Sequence, residues 1–102
     1  MANRQKEKGT RFEHQIVAAA EKAGLKAYRV PLSGAGSIKN DVHVKQGRTL
    51  WEIEAKKRAE GFKFLYDNIQ GADILVVGAD RKPALAVIDL RDLFDIMAGR
   101  HD

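Results

Sequence analysis

No cysteine occurs among the 102 residues of the chain. Disulfide bonds, thiolate zinc sites and a cysteine nucleophile are therefore excluded. The sequence also has no apolar run long enough to cross a membrane, and its polar N-terminus lacks the apolar segment of a secretory signal. We therefore expect a cytoplasmic protein with no membrane partner, located in the host cytoplasm if the chain is viral.

The residues that are present are typical of one small, mildly basic domain. Since 44% of them are apolar, the chain can bury a core, and we expect residues 1–102 to form a single domain. The 18 Lys and Arg residues outnumber the 14 Asp and Glu residues and give a net charge of +4, which is compatible with a polyanionic partner. The basic residues cluster near the N-terminus and at residues 56–58, whereas residues 67–80 contain none.

Hydrophobic periodicity and turn residues predict an alternation of helices and strands. Thr10 and Glu13 form a capping box, which predicts a helix that starts at Thr10 after a flexible basic arm at residues 1–9 and stops at Gly24. Trp51 is expected in the core, and the apolar run Ile74–Val77 is expected to be a buried strand. The other predicted strands are Lys26–Val30, Asn40–Val44, Leu50–Lys56 and Ala84–Ile88, with helices at Phe62–Gln70 and after Asp89. This order indicates an α/β fold with one mixed five-stranded sheet flanked by helices.

The central two strands place acidic residues and a lysine on one face. Side chains alternate along a strand, so Asp41 lies opposite to the valines of its strand, and Glu52, Glu54 and Lys56 share one side of the next strand. A tight turn at residues 45–48 then predicts a hairpin with Asp41 roughly opposite Glu52 and Glu54 a diagonal step away. Two carboxylates and a lysine suit the cleavage of phosphodiesters with Mg²⁺. An ordinary hairpin with one solvated face explains the same pattern.

With these residues in this order, the chain resembles the PD-(D/E)xK nuclease superfamily, and within it the archaeal-type Holliday junction resolvases. The likeness covers nearly the whole chain: Lys8-Gly9 before a helix with Phe12-Glu13, then Arg29-Val30-Pro31-Leu32-Ser33-Gly34-Ala35, Asp41, and Glu54-Ala55-Lys56 followed by basic residues. The stretch from Arg29 to Ala35 is the most discriminating part. One departure is Asn40, which precedes Asp41 where the superfamily pattern has proline.

The resemblance implies a restriction-endonuclease-like fold and assigns roles to individual residues. Asp41, Glu54 and Glu13 would bind Mg²⁺, with Mn²⁺ able to replace it and with no organic cofactor. Lys56 would orient or activate the attacking water, and Ser33 would touch the scissile region or the DNA backbone. The expected nucleic-acid contacts are Lys8, Arg11, Arg29, Ser33, Lys57 and Arg58. Two of these assignments have plain structural alternatives, because Glu13 also fits a helix cap and Ser33 a turn.

The function that the resemblance implies is the resolution of four-way DNA junctions in recombination and repair by a Mg²⁺-dependent endodeoxyribonuclease that leaves 5′-phosphates. Since two symmetric cuts require two active sites, we expect a homodimer. Apolar residues of the second and third helices exceed what one side of a small sheet needs, and they are candidates for the interface. Two alternatives stay open: a less selective nuclease for nicking, repair or phage DNA processing, and a catalytically silent DNA-binding subunit.

Overall fold

The computed structural model describes residues 4–30 and 41–100, with side chains from residue 9 onward. Three helices and five strands occur in this part of the chain, in the order helix, three strands, helix, two strands, helix. The helices are α1 (Arg4–Lys22), α2 (Lys63–Ile69) and α3 (Leu90–Met97). The strands are β1 (Lys26–Arg29), β2 (Val42–Gln46), β3 (Thr49–Ile53), β4 (Ile74–Val77) and β5 (Leu85–Ile88). All predicted elements are present, although several boundaries differ.

The first helix is longer than predicted. It begins at Arg4, so Thr10 lies inside it and is not the N-cap residue. The capping-box interpretation of Thr10 and Glu13 is therefore wrong. The polar residues that precede Thr10 are mostly good helix formers, and they extend the helix at little cost. The predicted end at Gly24 is confirmed, since this glycine adopts the positive φ of +98° that favours glycine after a helix.

The first three strands form an antiparallel sheet in the order β1-β2-β3. In its central strand, Val42 and Val44 are fully buried. They pack with the apolar stripe of α1 and with Phe94 of α3, which is also completely inaccessible. The core of the described chain is thus built between one face of this sheet and two helices.

The last two strands do not join that sheet. Among the described residues, β4 and β5 pair only with each other, antiparallel, with Ile74 opposite Ile88 and Val77 opposite Leu85. The predicted α/β content is confirmed, but the single mixed five-stranded sheet is not, because every observed strand pair is antiparallel and the strands form two sheets. The short α2 packs beside β4 and β5.

Two predictions of burial are wrong. Strand β4 was expected to be buried because it is continuously apolar, yet Ile74 and Val76 are 51% and 65% exposed. Trp51 lies near the edge of the first sheet, where it is half exposed and donates its indole N–H to Gln46 Oε1 at 2.9 Å. In both cases no further described element covers the apolar surface, and residue type alone does not reveal this.

The third helix has the predicted N-cap. The carboxylate of Asp89 accepts hydrogen bonds from the backbone N–H groups of Arg91 and Asp92, at 2.8 and 3.4 Å. Phe94 then enters the core one turn later. None of the described helices is both long enough and apolar enough to cross a membrane.

Candidate active site

The β2–β3 hairpin determines which acidic residues meet. Its register pairs His43 with Glu52 and Val42 with Ile53, and Gly47 completes the turn with a φ of +58°. The predicted position of Asp41 opposite Glu52 is therefore wrong, because His43 occupies that place. The observed ladder is shifted by two residues from the predicted one, and this moves Asp41 toward the C-terminal end of β3.

Asp41 leaves the regular pattern of the sheet. Its backbone N–H donates to the carbonyl of Ile53 at 2.9 Å, although the ladder pairs Ile53 with Val42, and its own carbonyl accepts from the N–H of Val30 at 3.0 Å. Two consecutive residues thus oppose one residue of β3, which is the arrangement of a β-bulge. A bulge redirects the side chain at that point of the strand, and it places the Asp41 carboxylate beyond the end of β3.

The redirected carboxylate is fixed to the Glu54–Lys56 segment. Its Oδ2 atom accepts a hydrogen bond from the backbone N–H of Ala55 at 2.9 Å. Because Ala55 stands between Glu54 and Lys56 in the chain, the carboxylate is bonded to the backbone segment that carries both residues. Strand β3 ends at Ile53, so the predicted strand through Lys56 is too long by three residues. The hydrogen bond from Ala55 to Asp41 replaces the ladder there.

Glu54 and Lys56 are close to each other and open to solvent. Lys56 Nζ is 3.9 Å from Glu54 Oε2, and both side chains are more than half exposed. Such an exposed pair contributes little to stability because water screens it. Both groups are therefore accessible to a substrate without disruption of the core.

Glu13 is held by a different partner. Its Oε1 atom accepts from Arg29 Nε at 2.9 Å, and both side chains are largely shielded from solvent. The sequence predicted Glu13 as a metal ligand and Arg29 as a DNA contact, but it gave no sign that they bind each other. In the described ranges, no group of three or more acidic, His or Cys side chains is placed to hold a metal ion. The role of Glu13 at the metal site stays a prediction.

The remaining predicted contacts are divided between described and undescribed positions. Ser33 and the side chain of Lys8 lie outside the described residues. Arg11 is exposed on α1, and Arg58 is exposed in the loop after β3. Lys57 places its ammonium group 5.4 Å from the centroid of the Phe12 ring, a distance typical of a cation–π contact. This contact ties the basic loop to α1.

A second polar row, which the residue pattern did not single out as a unit, lies next to the bulge. Tyr28 Oη is 3.3 Å from His43 Nδ1, and the two rings meet edge to face with centroids 5.4 Å apart. His43 Nε2 is 3.8 Å from Glu52 Oε1. Alternation along β1 and β2 places Tyr28 and His43 on one face, so their proximity was accessible from sequence once the register of β1 was known.

The donor set near the bulge fits a magnesium ion. Mg²⁺ keeps several waters and is commonly bound by one or two carboxylates together with substrate phosphate oxygens. Asp41 is fixed by Ala55, and Glu54 is adjacent in the chain to the residue that fixes it. The residue types at the open end of the hairpin are therefore compatible with this ion, and its binding there stays a prediction.

An α/β fold whose hairpin carries acidic and basic side chains at its open end is compatible with a nuclease. The sequence matches the family described as archaeal Holliday junction resolvase over residues 4–91. Because the match covers most of the chain, the protein belongs to this family, whose name implies a nuclease that acts on branched DNA in recombination and repair. No curated protein and no solved structure matched the chain.

Proposed function

We propose that the chain is a Mg²⁺-dependent endonuclease that resolves four-way DNA junctions by symmetric hydrolysis and leaves 5′-phosphates. The observation that carries this proposal is the hydrogen bond from the Ala55 N–H to Asp41 Oδ2. It fixes the Asp41 carboxylate to the backbone segment that carries Glu54 and Lys56, at the open end of the β2–β3 hairpin. Family membership supports the branched substrate.

The side chains have distinct roles in this mechanism. Asp41 and Glu54 would hold the cation, and the Ala55 carbonyl is a third oxygen in the same segment. Lys56 carries a positive charge 3.9 Å from Glu54, where it can orient the attacking water and stabilise negative charge that develops on the phosphate. When bound, Mg²⁺ neutralises the phosphate and lowers the pKa of a coordinated water.

The half-exposed position of Glu54 and Lys56 suits a large substrate. A duplex cannot enter a closed pocket, so the reacting groups have to stand at the surface. The basic residues after Lys56 extend this surface. Lys57, whose ammonium group lies near Phe12, and the exposed Arg58 would contact phosphates on either side of the cut.

We further propose that the active form is a homodimer and that β4 and β5 form its interface. One face of this two-stranded sheet carries Ile74, Val76, Ala86 and Ile88, as the register shows. The exposed Ile74 and Val76 leave this face without a described partner, and exposed apolar patches on small proteins mark association sites. A second copy is the occupant that symmetric cleavage requires.

Cleavage assays test the catalytic proposal. The parent protein should cut a four-way junction in Mg²⁺ and not in EDTA, faster than it cuts a Y-fork or a linear duplex of the same sequence. Asp41→Asn and Lys56→Ala should each reduce the cleavage rate by at least about 100-fold, since each removes a charge that acts in the transition state. The matched controls are Asp80→Asn and Lys82→Ala, which change the same charges at exposed positions in the β4–β5 turn.

The possible outcomes separate the alternatives. Equal cleavage of all three substrates would indicate a less selective nuclease. Binding of the junction without any cleavage would indicate a silent DNA-binding subunit. If Asp41→Asn and Lys56→Ala both cut like the parent, the assignment of the active site is wrong.

A further inference from the structure

Two lysines face each other at the end of the first sheet that is remote from Asp41. The register of β1 and β2 makes Lys26 and Lys45 direct cross-strand partners. Residues in this relation have Cβ atoms about 4.5–5.5 Å apart, and like charges there destabilise the sheet. In the described part of the chain, neither lysine forms an ion pair that would offset the repulsion.

The lysine pair borders a cavity of about 420 Å³. None of the described residues that line it carries a carboxylate: Gly24, Leu25, Lys26, Lys45, Gln46, Gly47, Met97 and Ala98. Gln46 Nε2 donates to the carbonyl of Met97 at 2.8 Å, so β2 and α3 are held together at the wall of the cavity. The position is therefore a recess bounded by β2 and α3 and lined by two lysine residues that have no ion-pair partner in the described part of the chain.

A third cation lies beside the recess. Arg100 Nη2 is 3.4 Å from the point that a Cβ atom on Gly24 would occupy, so the guanidinium group lies against the rim. Among the described residues, the acidic residues nearest along the chain to Gly24 and Arg100 are Glu21 and Asp95, whose backbone carbonyls accept from Gly24 N–H and Arg100 N–H. Neither carboxylate lines the recess.

We propose that this recess binds a phosphate of the DNA backbone, outside the cleavage site. The inference rests on the proposed nuclease function, and it adds a second contact point. Lys45 is four residues from Asp41 along one strand, which corresponds to about 13 Å. This equals the rise of roughly four base pairs of duplex, so one DNA arm that lies along β2 reaches both the cut and the recess.

The test compares binding of an uncleaved four-way junction in EDTA, over a range of salt concentrations. The Lys26→Ala/Lys45→Ala variant should bind more weakly, and the slope of log K against log salt should become shallower by about two units, because each lost phosphate contact removes about 0.9 from the slope. Its melting temperature should equal or exceed that of the parent, since the variant removes a repulsive pair. Arg81→Ala/Lys82→Ala is the control with the same charge loss in the β4–β5 turn, and it should retain the parent slope.

A double variant with parental affinity and salt slope would overturn the proposal, as would a control that loses as much as the double variant. Failure of the proposed function is a separate result. In that case the parent does not cleave in Mg²⁺, whatever the lysine variants do in binding. Weaker binding that accompanies a lowered melting temperature would also overturn the proposal, because the lysines would then be structural. The conservative variant Lys26→Arg/Lys45→Arg should retain binding and the parental salt slope, because it keeps both positive charges.

Discussion

The two described sheets of this protein contain similar apolar residues, but they differ in how far these residues are buried. In the first sheet, Val42 and Val44 are fully buried between α1 and α3. In the second, Val76 of β4 is 65% exposed, and α2 contributes no buried residue. The first unit, which consists of α1, the first sheet and α3, has a buried core of its own. The second unit, which consists of α2, β4 and β5, leaves an apolar face exposed, and we propose that a second copy of the chain covers it.

The candidate catalytic residues and the proposed dimer interface lie in different sheets. The candidate catalytic residues Asp41, Glu54 and Lys56 lie at the open end of the β2–β3 hairpin, away from its turn, next to strands that the core supports. The proposed dimer surface belongs to the second sheet. A change in one unit should therefore leave the specific property of the other intact, and paired variants can test whether the division is real.

The largest expected effect is loss of the core aromatic. Phe94→Ala should lower the free energy of unfolding by about 3–5 kcal/mol, because Phe94 is completely buried among α1 and the first sheet. Tyr66→Ala is the matched change on α2, where the side chain is 71% exposed, and it should cost less than about 1 kcal/mol in the monomer. Urea denaturation at low protein concentration measures both. Equal losses would contradict the idea that only the first unit is a packed core.

Val76→Lys should have a smaller effect on the free energy of unfolding, but it should abolish the proposed dimer. A charge in the centre of the β4–β5 face should make the protein monomeric in sedimentation at micromolar concentration, whereas the parent should be a dimer. The control is Ala79→Lys, which adds the same charge just beyond the strand at an exposed position. A parent that is already monomeric would remove the proposed interface, and a dimeric Val76→Lys variant would place it elsewhere.

The smallest expected effect concerns the last helix. Asp89→Ala removes the side chain that accepts from the N–H groups of Arg91 and Asp92, and it should cost about 1 kcal/mol. Because α3 belongs to the first unit, this loss should appear in the same unfolding transition as that of Phe94→Ala. Asp89→Asn is the control, since asparagine is an equally good N-cap and should retain most of the stability. If the asparagine variant is as unstable as the alanine variant, the cap hydrogen bonds are not the cause.

Local pattern alone predicted much of the fold. The structure confirms the predicted hairpin and the helical apolar spacing of α1. It also confirms that α1 ends at Gly24 and that Asp89 caps α3. Each of these features depends on interactions within a few residues of the chain. The start of α1 was predicted wrongly for a related reason. A capping box is a local signal, but residues 4–9 can also continue a helix, and the local preference for a cap at Thr10 did not prevent this.

The site divides along the same line. The sequence alone shows which residue types occur, and it predicts that Asp41 and the Glu54–Lys56 segment belong to the same hairpin. The two-residue shift of register, the bulge at Asp41 and its bond to Ala55 depend on contacts between neighbouring strands and the segments that follow them. The pairing of Glu13 with Arg29 depends on how α1 crosses β1.

The sequence by itself determined the hairpin, the acidic and basic groups that it carries, and the helix ends marked by Gly24 and Asp89. It also determined membership of the resolvase family. These properties depend on residue identity and short-range geometry. Only the tertiary structure decided that five strands form two sheets, that β4 stays exposed, and that Lys26 faces Lys45. The physical reason is that exposure and strand pairing are set by contacts between residues distant in the chain, and residue type fixes only what each surface prefers.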